Sequence, residues 1–141
     1  MLKIYPACFI KDKDGYSVFF PDWENTATCG RTFQEAMEMA VDCLAGLCYE
    51  NKLSGIDDPK PSLESSLNIN QIADIAECKV SDISIHTVSV DADVYAKQHF
   101  EKCVKKTVTI YEWQNREGIK RGINFSKIFQ DALTKELMKE V

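Results

Sequence analysis

The sequence of 141 residues is poor in several residue types that mark specialised protein classes. Six glycines and four prolines are too few for a low-complexity or collagen-like chain. No apolar run approaches the roughly 20 residues that span a bilayer, and residues 1–6 lack the basic-then-apolar order of a signal peptide. With 45% hydrophobic and 28% charged residues, the composition is that of an ordinary globular protein. We therefore expect a cytoplasmic protein with no membrane partner.

The six cysteines lack the C-x-x-C spacing of zinc ribbons and thioredoxin-like proteins. Because a signal peptide is not apparent, reduced and buried thiols are expected rather than disulfides. Only two histidines are present: His86 falls in a strand-like run and His99 in a short predicted helix. This pattern predicts no metal site, no cofactor and no Cys–His nucleophile.

The charge is distributed unevenly along the chain, although the formal net charge is only −5. Residues 1–100 carry 8 Lys or Arg against 16 Asp or Glu, a balance of −8. Residues 101–141 carry 9 against 6, a balance of +3. An acidic body with a basic end is compatible with two solvated surfaces of different sign, or with a nucleic-acid contact at the basic end.

The N-terminal third predicts a β-hairpin followed by a helix. Residues 3–10 and 16–20 have strand character, and Asp14-Gly15 between them suits a tight turn. Residues 26–29 predict a third, short strand. Thr32 and Glu35 form a capping box that begins a helix. One apolar face of that helix should lie against the sheet, and it comprises Phe33, Ala36, Met37, Ala40, Leu44, Leu47 and Cys48.

The middle of the chain is less regular. Residues 51–70 are rich in Ser, Asn, Gly and Pro and predict a loop, while residues 69–76 are compatible with a strand or a short helix. Residues 83–90 alternate in polarity as a strand does, and residues 92–100 predict a short helix. The fold class is therefore α+β, with an N-terminal antiparallel sheet and a packed helix.

The last 40 residues have a different pattern. Polar and apolar residues alternate over 105–110 and predict a strand, which is followed by a helix over 112–121 and a second helix capped by Asn124. The second helix has an apolar face of Phe125, Ile128, Phe129, Ala132, Leu133 and Leu137. One strand and two helices cannot bury so much apolar surface alone. We therefore expect this unit to dimerise by pairing its strand with that of a second chain.

This order of elements resembles the ribbon-helix-helix DNA-binding module over about residues 105–141. In that family two strands form an intermolecular ribbon that lies in the major groove. The resemblance implies a dimer core that contains Val108, Ile110, Ile128 and Phe129. It also implies two sets of DNA-binding residues: Lys105, Thr107 and Thr109 on the outward face of the ribbon, and Asn124, Ser126 and Lys127 at a phosphate-binding helix start.

The module departs from the family pattern at its first helix. Tyr111 stands where the family often has Pro after the strand, and Gln114 and Glu117 stand where apolar residues are expected. Gly118 also weakens a helix by about 1 kcal/mol relative to Ala. These residues predict a less stable first helix than is usual for the family.

The N-terminal segment has a resemblance of its own. The run from Tyr5 to Phe9, the run from Asp14 to Asp22 with its Phe-Pro-Asp end, and Gly30-x-Thr-x-x-Glu-Ala36 together resemble HicB antitoxins. The resemblance implies a reduced ribonuclease-H-like domain over 1–101 that binds and neutralises a HicA-like mRNA-cleaving toxin. It further implies a ribbon-helix-helix domain over 102–141 that represses its own operon by binding operator DNA. A homodimer or a higher even oligomer is expected, and an acidic body suits a basic, RNA-binding toxin.

Two other functions remain open from the sequence. One is a ribbon-helix-helix transcription regulator with an N-terminal sensing domain and no toxin partner. The other is a nuclease that uses Asp12, Asp14 and Asp22 to hold metal ions. Asp12 and Asp14 flank a predicted tight turn, where Asp is common for backbone reasons, and the sequence has no Gly-rich phosphate loop. We therefore expect no catalytic residues and no enzymatic activity.

Overall fold

The chain divides into two compact units in the computed structural model, which describes residues 1–139. The N-terminal unit is Met1–Lys102 and the C-terminal unit is Cys103–Val141. No helix among the described residues is long and apolar enough to cross a membrane.

A four-stranded antiparallel sheet forms the centre of the N-terminal unit. Its strands are β1 (Leu2–Asp12), β2 (Gly15–Phe19), β3 (Thr28–Gly30) and β4 (Ile83–Asp91), in the spatial order β3-β2-β1-β4. β1 and β2 form the predicted hairpin, in which the Asp12 carboxylate accepts a hydrogen bond from the Asp14 N–H at 2.7 Å. The predicted strands of this unit and the α+β class are confirmed.

The long helix α1 (Phe33–Ser54) follows β3 directly. The Thr32 hydroxyl accepts from the Glu35 N–H at 3.1 Å, as the capping box predicts. The Glu35 carboxylate in turn accepts from the Arg31 N–H at 2.9 Å. α1 ends four residues later than predicted, because Gly55 adopts the left-handed conformation (φ 68°) that closes a helix C-terminus.

The core lies between α1 and one face of the sheet. Ala36, Ala40, Leu44 and Cys48 are buried there, as the periodicity of α1 predicts. Phe33, predicted to be in the same core, is instead 39% exposed because, as the first residue of α1, it has no preceding helical turn on its N-terminal side. The remaining buried residues of this core come from α1, from the strands and the residue after β2, and from the start of the last helix of this unit: Ala45; Tyr5, Ala7, Phe9, Val18, Phe20, Val88 and Val90; and Ala92.

Two short helices complete the N-terminal unit. α2 (Ile69–Ala76) resolves the ambiguity of residues 69–76 in favour of a helix, with the Asn68 side chain accepting from the Gln71 N–H at 3.2 Å. α3 (Ala92–His99) follows β4 and is capped by Asp91. The segment between α1 and α2 is held to the sheet, since Lys3 pairs with Asp58 at 2.7 Å.

The C-terminal unit contains α4 (Glu112–Lys120) and α5 (Phe125–Leu137). The two predicted helices are confirmed. The strand predicted over residues 105–110 is absent from the described single chain. A strand requires a hydrogen-bonded neighbour, and the described part of one chain supplies none to this segment.

Candidate functional site

The C-terminal unit leaves nearly all its apolar side chains exposed. Gly118 is the only buried residue among residues 103–139. Val108, Ile110, Ile128 and Phe129, which are predicted to form a dimer core, are 51, 44, 54 and 40% exposed. Apolar surface of this extent marks a surface that binds another protein. The single chain therefore brings none of these four residues into a core.

Gly118 is the point at which α4 and α5 meet. A Cβ added at Gly118 would stand 2.4 Å from Cζ of Phe125, so the Phe125 ring lies directly on the α4 backbone. The Gly118 carbonyl also accepts from the Ile123 N–H at 2.9 Å in the turn between the helices. Gly118 lowers the helix propensity of α4, but its lack of a side chain allows α5 to pack against α4.

Replacing Gly118 with Ala is expected to destabilise the C-terminal unit by about 1–2 kcal/mol, because the added methyl group displaces the Phe125 ring. Helix propensity alone predicts the opposite, a gain of about 1 kcal/mol. Thermal unfolding of G118A distinguishes the steric clash from the gain in helix propensity. The control is Lys120→Ala, which makes a substitution by Ala at an exposed position of α4. A G118A variant more stable than the parent chain would contradict the close contact.

The start of α5 offers free donors for an anion. The Asn124 side chain accepts from the Lys127 N–H at 3.0 Å, which confirms the predicted N-cap. The N–H groups of Phe125 and Ser126 have no hydrogen-bond partner among the described residues. The Lys127 ammonium lies 2.8 Å from the Asp131 carboxylate, and both side chains are more than 60% exposed. Such a pair is worth about 0–1 kcal/mol, so a phosphate can compete for Lys127.

The remaining predicted DNA-binding residues, Lys105, Thr107 and Thr109, are all exposed on the extended segment before α4. None of them makes a side-chain hydrogen bond with another described residue. The single chain leaves these residues available, and their assembly into one face stays a prediction that depends on a second chain.

The acidic residues proposed for a nuclease have local structural partners. Asp12 accepts from the Asp14 backbone, and the Asp22 carboxylate accepts from the Ser62 N–H at 2.9 Å and from its hydroxyl. Within residues 1–139, no three His, Cys, Asp or Glu side chains are arranged to hold a metal ion. These carboxylates satisfy turn and loop donors at separate places.

All six cysteines are free, as expected, but only Cys8 and Cys48 are buried. Burial raises the pKa of Cys8 to about 11 and that of Cys48 to about 12, where the nearby Asp58 carboxylate adds to the effect. Both thiols are therefore protonated and unreactive at neutral pH. Cys29 and Cys103 are exposed, which departs from the expectation of buried thiols.

An aromatic cluster on the sheet is not apparent from the sequence. The rings of Phe33 and His86 are 4.9 Å apart, and both lie about 5 Å from Phe9. Tyr16 contacts Phe33 edge to face at 5.7 Å. The period of α1 assigns Phe33 to the core, and only the register of β1 with β4 brings His86 to the same place.

No protein-family model and no curated protein matches the sequence, but solved structures do. The chain is 32% identical to a chain of a toxin–antitoxin complex from Streptococcus pneumoniae. The match covers 96% of this chain and 99% of that one, with a TM-score of 0.62. This chain belongs to the HicB family of antitoxins. As a member of this antitoxin family, the chain is not an enzyme.

Other solved HicB structures are more distant. The antitoxin HicB3 is 22% identical over 99% of this chain, with a TM-score of 0.47. The Burkholderia pseudomallei antitoxin HicB is 19% identical over 96% of this chain, also with a TM-score of 0.47. A HicA3–HicB3 toxin–antitoxin complex matches over 61% of this chain at 22% identity, with a TM-score of 0.44.

The glycines of the HicB motifs occupy positions with no room for a side chain. Gly15 has φ 143°, and a Cβ there would stand 2.3 Å from the Gly30 carbonyl oxygen. A Cβ on Gly30 would stand 2.3 Å from the backbone nitrogen of Ala36. The turn of the hairpin, the end of β3 and the first turn of α1 therefore meet backbone to backbone. This contact explains the spacing between Gly30 and Ala36 in the HicB motif.

Proposed function

We propose that this HicB protein neutralises a HicA-like mRNA-cleaving toxin and represses its own operon in the cytoplasm. In this proposal the N-terminal unit is the toxin-binding domain, expected over 1–101 with a reduced ribonuclease-H-like topology. The C-terminal unit is the DNA-binding domain, expected over 102–141 as a ribbon-helix-helix module. The observation that carries the proposal is the 32% identity, over nearly the whole of both chains, to a chain of a toxin–antitoxin complex.

Charge supports a toxin partner for the N-terminal unit. Residues 1–100 carry a balance of −8, from 8 basic and 16 acidic residues. A toxin that binds RNA needs a positive surface, because phosphate contacts supply most of the affinity for nucleic acid. Opposite potentials accelerate the encounter of two proteins and help to exclude wrong partners.

Titration of toxin activity tests this arm of the proposal. A HicA-like toxin is incubated with RNA and increasing amounts of the full-length protein. Cleavage is expected to stop near equal molar amounts, since an antitoxin acts by occupying the toxin. Undiminished cleavage at a large excess would contradict the proposal. Binding of DNA without any effect on the toxin would favour the stand-alone regulator.

The C-terminal unit supports DNA binding through a dimer. Two chains that pair residues 105–110 as an antiparallel ribbon would cover Val108 and Ile110, which one chain leaves about half exposed. The outward face of that ribbon would carry Lys105, Thr107 and Thr109, since side chains alternate along a strand. The +3 balance of residues 101–141 and the free N–H groups at the start of α5 suit a phosphate backbone.

The double variant Thr107→Ala/Thr109→Ala is expected to lose operator binding and keep toxin inhibition. Each base contact is worth about 1–3 kcal/mol, so a loss of roughly 100-fold in operator affinity is expected. Thr134→Ala, an exposed threonine of α5, is the matched control. Gel-shift titration gives both affinities. Equal affinity of the double variant and the control would place the groove contact elsewhere.

A further inference from the structure

β4 forms a long outer edge of the sheet. It pairs with β1 without interruption from Ile83, opposite Ile10, to Asp91, opposite Leu2. The opposite edge of the sheet, β3, has only three residues. Short edge strands are one of the ways by which proteins avoid unwanted strand pairing. The nine residues of β4 have no such protection by length.

The backbone of β4 is also unpaired on its outer side. In an antiparallel pair, alternate residues direct their N–H and C=O groups towards the neighbour and the rest direct them away. Over residues 84–90 the backbone has no hydrogen-bond partner other than β1 among the described residues. The strand contains no proline, no lysine and no bulge, which are the usual devices that close an edge. The Thr87 side chain donates to the Glu64 carboxylate, but the outer backbone groups of β4 remain free to pair with one more strand.

Apolar side chains flank this edge on both faces of the sheet. On one face, the ring of His86 lies 4.9 Å from that of Phe33, which is 39% exposed. On the other face, Ile85 is half-buried and Ile4, opposite Ser89 on β1, is 47% exposed. A strand added at this edge would place its alternate side chains on the two faces of the sheet. Contacts of those side chains with the apolar residues there would determine which strand binds.

We infer that the outer edge of β4 is the docking site at which the toxin adds an extended strand to this sheet. The inference rests on the proposed antitoxin function and specifies the surface that performs it. Charge favours the toxin as occupant. A second copy of the N-terminal unit would set two units, each with a balance of −8 over residues 1–100, against one another, whereas a basic RNA-binding protein is attracted to this unit. Main-chain hydrogen bonds along β4 would supply affinity, and the aromatic cluster would hold an apolar toxin side chain.

Two variants with the same chemical change test the docking site. Ser89→Lys places an ammonium group beside the open edge, where it repels a basic strand. Ser17→Lys makes the same change at an exposed serine of β2, which β1 separates from the edge. Toxin binding by full-length protein is expected to weaken about 10-fold or more in S89K and to stay unchanged in S17K. Equal unfolding temperatures establish that both variants are folded.

Amide hydrogen exchange with and without the toxin gives a direct readout. Alternate amides over residues 84–90 should become protected in the complex, whereas those of β3 should not. Toxin inhibition with no protection in β4 and with equal affinities of S89K and S17K would overturn the docking site and leave the antitoxin function standing. Absence of inhibition by the parent chain would instead contradict the antitoxin function. Protection of the β4 outer amides before toxin is added would identify a second copy as the occupant and overturn the assignment to the toxin.

Discussion

Gly30→Ala is expected to destabilise the N-terminal unit by about 2–3 kcal/mol, because the added methyl group clashes with neighbouring backbone atoms. The three nearest atoms, at 2.3, 2.6 and 2.8 Å from the added Cβ, all belong to the backbone of Glu35 and Ala36. They lie in the first turn of α1, so relief of the clash requires movement of the whole helix against the sheet. Urea unfolding measures the loss.

Gly46→Ala is the matched control for this experiment. Gly46 lies inside α1, and a Cβ there makes only an ordinary contact, 3.8 Å from Cζ of Phe100. The control is expected to gain about 1 kcal/mol from helix propensity. The same substitution therefore changes stability in opposite directions at Gly30 and Gly46. Equal effects at both sites would show that the close approach of β3 to α1 does not constrain the fold.

Val108→Asp is expected to convert the protein into a monomer. In the proposed ribbon, two symmetry-related carboxylates would be buried close together without partners. An uncompensated buried charge costs about 3–5 kcal/mol, which corresponds to a loss of dimer affinity of at least about 100-fold. Because DNA binding is proposed to need the ribbon, operator binding should be lost with the dimer.

Sedimentation of V108D and of Val94→Asp measures this effect. The two valines have nearly the same exposure in the single chain, 51% and 50%. Val94 lies on α3 of the N-terminal unit and has no place in the ribbon. The V94D variant should remain dimeric. A V108D variant that also remains dimeric would show that the strand of residues 105–110 is not the interface.

Local signals in the sequence were sufficient for most of the secondary structure. Asp14-Gly15 marks the hairpin turn, and Thr32 and Asn124 mark the starts of α1 and α5. Each of these residues acts on backbone groups within a few positions of itself, so its effect can be predicted without knowledge of the rest of the fold.

Contacts between distant residues could not be predicted in the same way. Gly118 has the low helix propensity of any glycine, and its role becomes visible only when the Phe125 ring is found on it. Phe33 satisfies the period of the buried α1 face but remains 39% exposed at the first residue of the helix. The candidate DNA-binding residues Thr107 and Thr109 have the further difficulty that their arrangement depends on a second chain.

The most direct test compares DNA binding by the full-length protein and by residues 1–102 over a series of salt concentrations. It asks whether the C-terminal unit binds DNA and the N-terminal unit inhibits the toxin. The full-length protein should bind its upstream DNA with an affinity that falls steeply with salt, because phosphate contacts release counterions. Residues 1–102 should lose this binding and still inhibit the toxin. If residues 1–102 bind DNA with the same affinity and salt dependence as the full-length protein, the C-terminal unit is not the DNA-binding domain, and the proposed role of that unit in repression is wrong.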